Sequence, residues 1–177
     1  MKIIKQITLI SFLLVLLSCT KSRGYETIDE LYIASFKAMK SKDKKKIAEF
    51  VSLMIPDKNT AKYMESNECV YRGFPRVMKE HPYVIDSAIV EFTDYYVNIA
   101  SSLEKRYGNL DSLRFIGFER AISPEPLNES ECECEDILFE EPWGIFVSEK
   151  NKDTLRFNIG EVLKVDGKWK VFTEPKI

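Results

Sequence analysis

The sequence predicts an α+β fold, on three observations. Apolar residues recur at steps of three and four from Ile28 to Met54 and from Ile85 to Tyr107, and beyond Gly108 the period falls to two. The links between the later segments are too short to hold crossover helices, so those strands must pair antiparallel. Helices first and sheet second let the helices cover one sheet face. The expected architecture is a helical hairpin and one long helix packed on an antiparallel sheet of four to five strands. At 177 residues, 45% apolar and 31% charged, the chain has room for one such core. Its net charge of −2, from 26 basic and 28 acidic side chains, builds no basic field to hold a phosphate backbone, so nucleic acid is not an expected partner.

The first helix opens at Thr27-Ile28-Asp29-Glu30, a capping box in which hydroxyl and carboxylate satisfy orphan backbone donors reciprocally. Ile28, Leu31, Tyr32, Ser35, Phe36 and Met39 then form a stripe that needs cover. Asp43 caps a second helix with Ile47, Phe50, Val51 and Met54 as its buried face and Pro56 as its stop. Residues 57–80 read as irregular, with Cys69-Val70-Tyr71 their one β-like run. The long helix follows, with Pro82 in its first turn, Ile85, Ile89, Phe92, Tyr96, Ile99, Leu103 and Tyr107 on one face, and Gly108 just past its end. Lys105 and Arg106 suit the negative end of its dipole.

Strands are expected over Leu113–Ile122, Ile137–Phe139, Trp143–Val147, Leu155–Val165 and Trp169–Phe172. Leu155, Phe157, Ile159, Leu163, Val165, Trp169 and Val171 share odd parity. A two-residue turn at Asp166-Gly167 would mix that core face with the lysine face. A three-residue loop of Val165, Asp166 and Gly167 with a bulge instead pairs Leu163 with Trp169 and Glu161 with Val171. On that reading Trp169 is buried, Gly167 has positive φ, and Lys164, Lys168 and Lys170 stay in solvent.

The leader carries a separate message. Lys2 and Lys5 precede an apolar run from Ile7 to Leu17, which at about 1.5 Å per residue reaches about 16 Å and is too short for the roughly 30 Å hydrocarbon core. The run ends in Leu16-Leu17-Ser18-Cys19, which resembles the lipobox of bacterial lipoproteins. The resemblance implies cleavage between Ser18 and Cys19 and lipid, palmitate included, on Cys19, which is the expected contact with a membrane. Two or more acyl chains anchor stably where one does not. In enterobacterial lipoproteins an Asp after the lipidated Cys retains the protein at the inner membrane. Thr20 stands there instead, which points to the outer membrane, facing the periplasm. The chain then divides into a signal peptide (1–18), the lipidated Cys with its tether (19–26) and a single α+β domain (27–177). Loss of Lys2 and Lys5 takes the net charge from −2 to −4.

Candidate chemistry is sparse. His81 is the only histidine, so any catalytic relay would need it, and a three-histidine zinc site is excluded. At a helix entry it also reads simply as a surface residue. Once Cys19 carries lipid, Cys69, Cys132 and Cys134 remain. Glu131-Cys132-Glu133-Cys134-Glu135, as a strand, puts both thiols on one face and three carboxylates on the other. A disulfide from Cys69 to Cys132 or Cys134, inert buried thiols, and a metal or redox role all stay open; the bridge requires Cα atoms within roughly 7 Å. Between Arg120 and Lys150 nine acids occur and no base, which reads as a solvated face. No phosphate-binding glycine loop is present, and neither cofactor nor metal is expected.

The order of elements, with the capped helices and the closing Val-Asp-Gly-Lys-Trp-Lys-Val hairpin, resembles the nuclear transport factor 2-like superfold across roughly residues 27–174. The resemblance implies a curved sheet wrapped around the long helix, with a conical apolar pocket between them. It carries no catalytic residues across. The first expectation is a non-catalytic, lipid-anchored cell-envelope protein that binds a small apolar ligand or a partner protein. The alternatives are an enzyme using a pocket acid or base, for which Glu91 and Asp94 on the long helix are the nearest groups, and a purely structural envelope component.

Overall fold

A computed structural model describes residues 23–66, 73–120, 138–140, 142–150 and 152–177. Its elements are α1 (Ile28–Lys40), α2 (Lys44–Met54), α3 (Lys58–Ser66), α4 (Gly73–Glu80), α5 (Val84–Tyr107), β1 (Leu113–Arg120), β2 (Leu138–Glu140), β3 (Pro142–Ser148), β4 (Thr154–Asn158), β5 (Val162–Val165) and β6 (Lys168–Val171). The fold is α+β, helices first. Among the described residues no helix is long and apolar enough to cross a membrane.

The caps form as their side chains dictate. The Thr27 hydroxyl accepts from the Glu30 N–H at 3.1 Å, and the Glu30 carboxylate accepts from the Thr27 N–H at 3.3 Å. The Asp43 carboxylate accepts from the Lys45 N–H at 2.9 Å. Gly108, at φ 80°, ends α5 with its N–H donating to the Glu104 carbonyl. Every residue of the expected α1 and α2 stripes is buried.

Residues 57–80 are not irregular: α3 and α4 occupy most of them. A reciprocal cap starts α3, where the Asp57 carboxylate accepts from the Thr60 N–H (2.8 Å) and the Thr60 hydroxyl accepts from the Asp57 N–H (3.2 Å). Helix α5 begins at Val84 rather than with Pro82 in its first turn, since Pro82 and Tyr83 lie in a turn closed by the Val84 N–H on the His81 carbonyl.

The strands hydrogen-bond as two antiparallel three-stranded sheets, β1-β3-β4 and β2-β5-β6. The expected continuous strand 155–165 is broken after Asn158, where the Asn158 side chain accepts from the Gly160 N–H at 2.6 Å. Between the helices and β1-β3-β4 lies a core of stacked and edge-on rings: Tyr32 on Phe115 (5.7 Å), Phe36 on Phe146 (4.3 Å), and Tyr96 against Phe50 (5.3 Å) and Phe157 (6.2 Å).

The closing hairpin overturns the parity reading. Its register is Lys164 opposite Trp169 and Val165 opposite Lys168, across a two-residue turn at Asp166 (φ 52°) and Gly167 (φ 71°). Both φ values are positive, as a type I′ turn requires, and Asp-Gly is the pair that supplies them most readily. Trp169 is buried and Gly167 has positive φ, as expected. Lys170, however, is fully buried rather than solvated, and Lys164 and Lys168 are half-buried, Lys168 with its ammonium on Glu26. The parity reading assumed one wet face, whereas β6 is covered on both, and on the second face Lys170 meets the C-terminal end of α2.

Candidate functional site

Pro56 has no N–H to continue α2, so Ile55 leaves the helix in an extended conformation (φ −76°, ψ 154°). This turn forms one wall of an apolar cleft of about 120 Å³. The others come from Phe74 of α4, from Ile85, Ala88 and Phe92 of α5, and from Val171 and Phe172 at the end of β6. Phe74 and Phe172 meet edge to face at 5.6 Å. None of the described residues that line it is titratable, and what they offer is shape and hydrophobicity.

The cleft lies along the part of α5 that the core leaves uncovered. From Thr93 onward the stripe of α5 is buried at Tyr96, Ile99, Leu103 and Tyr107. Before it, Ile85, Ala88, Ile89 and Phe92 are only partly buried, Val90 is 60% exposed and Tyr83 76%. Two wider clefts carry charge on their rims. In one of them Lys40 pairs with Asp111 at 3.7 Å and Arg114 with Glu149 at 4.0 Å, so opposite signs alternate rather than converge.

Three buried polar groups shape the interior. The Lys170 ammonium donates to the Leu53 carbonyl (3.0 Å) and the Ile55 carbonyl (3.2 Å), capping the negative end of α2. Burial pulls its pKa down to about 8; the Asp57 carboxylate opposes that shift and the Arg23 guanidinium adds to it. The Tyr32 hydroxyl donates to the Pro142 carbonyl at 2.5 Å. The Tyr96 hydroxyl is buried without a hydrogen-bond partner. Burial raises the pKa of three tyrosines: Tyr25 to about 12, Tyr32 and Tyr96 further.

Ser18, Cys19, Cys69, Cys132 and Cys134 lie outside the described residues, and with them the expected bridge. His81 is exposed at the entry to α5, its N–H donating to the Val77 carbonyl. Glu91 and Asp94 are exposed, Asp94 paired with Lys44 at 2.6 Å, and neither lines the apolar cleft. Sequence reading treated Ile85 and Phe92 as core and passed over Phe74, which sits in the segment read as irregular. The pairing of Asp57 with Thr60 was the available signal for helix there. Lys170 carried no signal, because its place depends on where α2 ends in space.

No family model, curated protein or solved structure matches the chain. Its class is the one that its own fold and site define: an α+β domain with an apolar cleft at the open half of its long helix.

Proposed function

We propose that this chain is a lipid-anchored cell-envelope lipoprotein, held through Cys19, whose α+β domain binds a small apolar ligand or an apolar side chain of a partner protein. The observation that carries the binding half is the cleft at Ile55, Phe74, Ile85, Phe92 and Phe172. At about 120 Å³ it is near the roughly 150 Å³ at which an apolar cavity accepts benzene, so it suits a single ring or a short alkyl group. Its lining favours binding over acid or base chemistry. The lipobox supports the anchor, and Thr20 supports the outer membrane facing the periplasm.

Register supports the finer reading of one curved sheet in the manner of the nuclear transport factor 2-like superfold. Pairing runs to Trp143 with Asn158 in β3-β4 and resumes at Glu140 with Val162 in β2-β5. Three steps on one strand against four on the other is how a bulge bends a continuing ladder. Joined in this way, β1, β2 with β3, β4 with β5, and β6 make four strands.

Titration with benzene tests the cleft. The methyl resonances of Ile55, Ile85 and Val171 are expected to shift together, and Ala88→Phe, which fills the space, abolishes the response. Shifts that persist in Ala88→Phe overturn the assignment. For the anchor, palmitate incorporation is expected in the intact chain and absent after Cys19→Ala; incorporation that survives the substitution overturns it.

A further inference from the structure

We propose that the open edge of β4 takes up an extended peptide segment of a partner protein as an added strand, one that alternates apolar and acidic residues, in the groove between β4 and the C-terminal half of α5. The inference is independent of the lipid anchor and of the apolar cleft at Phe74.

Strand β4 pairs with β3 on one side. The Ser148 N–H donates to the Asp153 carbonyl at 2.8 Å, so Asp153 turns its backbone to β3, and by the alternation of an antiparallel ladder Leu155 and Phe157 do the same. Thr154, Arg156 and Asn158 therefore turn theirs the other way. Asn158 is satisfied there, exchanging bonds of 2.9 and 2.7 Å with Lys176. Thr154 and Arg156 are not: among the described residues no backbone group meets their N–H and carbonyl groups on that side.

A groove of about 420 Å³ lies along this open edge. The edge is one wall, and α5 is the other, through Ser102 and Arg106. Leu103, Tyr107 and Leu155, all buried, give it an apolar floor. The antiparallel bridge sends the chain after Lys176 back toward Phe157, and Ile177 lines that end of the groove. Because α5 walls the far side, a strand already paired into another sheet does not fit, so edge-to-edge pairing with a second copy of this chain is excluded. A single extended segment fits, and the unpaired groups of Thr154 and Arg156 give it main-chain bonds.

The lining sets the side chains of that segment. Successive residues of an added strand point to opposite faces, so every second one meets the floor at Leu103, Tyr107 and Leu155 and needs to be apolar. The charged side chains that line the groove are Arg106 and Arg156, and among the described residues no acid lines it. Arg156 is shared with Glu119 at 3.1 Å. The Arg106 guanidinium stands 5.3 Å from the Tyr107 ring centroid and pairs with no carboxylate among the described residues. The cleft at Lys40 and Arg114 neutralises itself through Asp111 and Glu149, whereas this one keeps an unmatched positive charge, which selects an acidic residue among the outward-facing ones.

Titration of the full chain in detergent with the peptide acetyl-Glu-Val-Glu-Val-Glu-amide, followed by NMR, tests the site. The Thr154 and Arg156 amide resonances are expected to shift in a saturable way and their hydrogen exchange to slow at least tenfold, with the methyl resonances of Ile55 and Ile85 unmoved. With valine over the floor, the glutamate N–H groups are the ones that face β4, so the peptide N-methylated at its glutamates is expected to bind at least tenfold more weakly. Glutamine in place of glutamate is expected to weaken binding at least threefold, and Arg106→Gln, an exposed substitution, to abolish that preference without moving Tm. No saturable response, unmoved Thr154 and Arg156 amides, a response at Ile55 and Ile85 instead, or equal binding of the N-methylated peptide overturns strand addition at β4. Equal binding of the glutamine peptide to the parent chain, or a preference for glutamate that survives Arg106→Gln, overturns the acidic character of the segment.

Discussion

Tyr96 and Lys170 show how differently a buried polar atom is treated in one core. The Tyr96 hydroxyl is desolvated and unpartnered, so it costs the fold the hydration that it gave up. Tyr96→Phe is accordingly expected to be neutral or to stabilise by up to about 1 kcal/mol in urea unfolding, with both ring contacts kept. A loss above 1 kcal/mol would mean that the hydroxyl has a partner in the folded state. Lys170 is also buried, but two carbonyls at the end of α2 receive its ammonium. No periodicity rule places a lysine there, because the carbonyls that hold it belong to residues more than a hundred positions away.

At the scale of elements, the helices follow their local chemistry and the strands follow their neighbours. Helices α1 and α2 begin at the caps named from the sequence, and α5 ends at Gly108, since a cap is satisfied by residues two to four positions away. In the closing hairpin, turn chemistry and face parity pointed to different registers, and turn chemistry prevailed. An Asp-Gly pair forms the I′ turn locally, while the cost of placing Lys170 inside is offset by the end of α2. Trp169 is buried in either register, and Trp169→Ala is expected to cost about 3–5 kcal/mol in a denaturant melt, as a large core truncation does. Such a loss is a large share of the about 5–15 kcal/mol that holds a domain of this size. A melt within a degree or two of the parent would refute it.

For the whole molecule, the buried titratable groups set an alkaline stability profile. With its folded pKa near 8 against an unfolded 10.5, Lys170 is protonated in both states below pH 8 and only in the unfolded state between the two values. The unfolded state then binds more protons, so stability rises with pH across that window, by up to about 3 kcal/mol. The tyrosines act in the opposite sense. With folded pKa values above 10, they make the folded state hold more protons than the unfolded one beyond pH 10, and stability falls there. Urea midpoints measured from pH 7 to 11 are expected to peak near pH 10. Lys170→Met is expected to remove the rise and keep the fall; a rise that survives in the variant would show that other groups produce it.

The sequence by itself determined the α+β class, the caps of α1 and α2, the end of α5, and the burial of the α1 and α2 stripes and of Trp169. Each of these depends on residues within a turn of one another or on the wish of a large apolar side chain to leave water. Tertiary structure alone decided the hairpin register, the interior place of Lys170, and which half of α5 lies open beside the cleft. Those three depend on where distant elements stop: α2 at Met54, β6 at Val171, and α4 against the first turns of α5. Periodicity tells which face of an element is apolar, but whether another element is long enough to cover that face is settled only when the chain is packed.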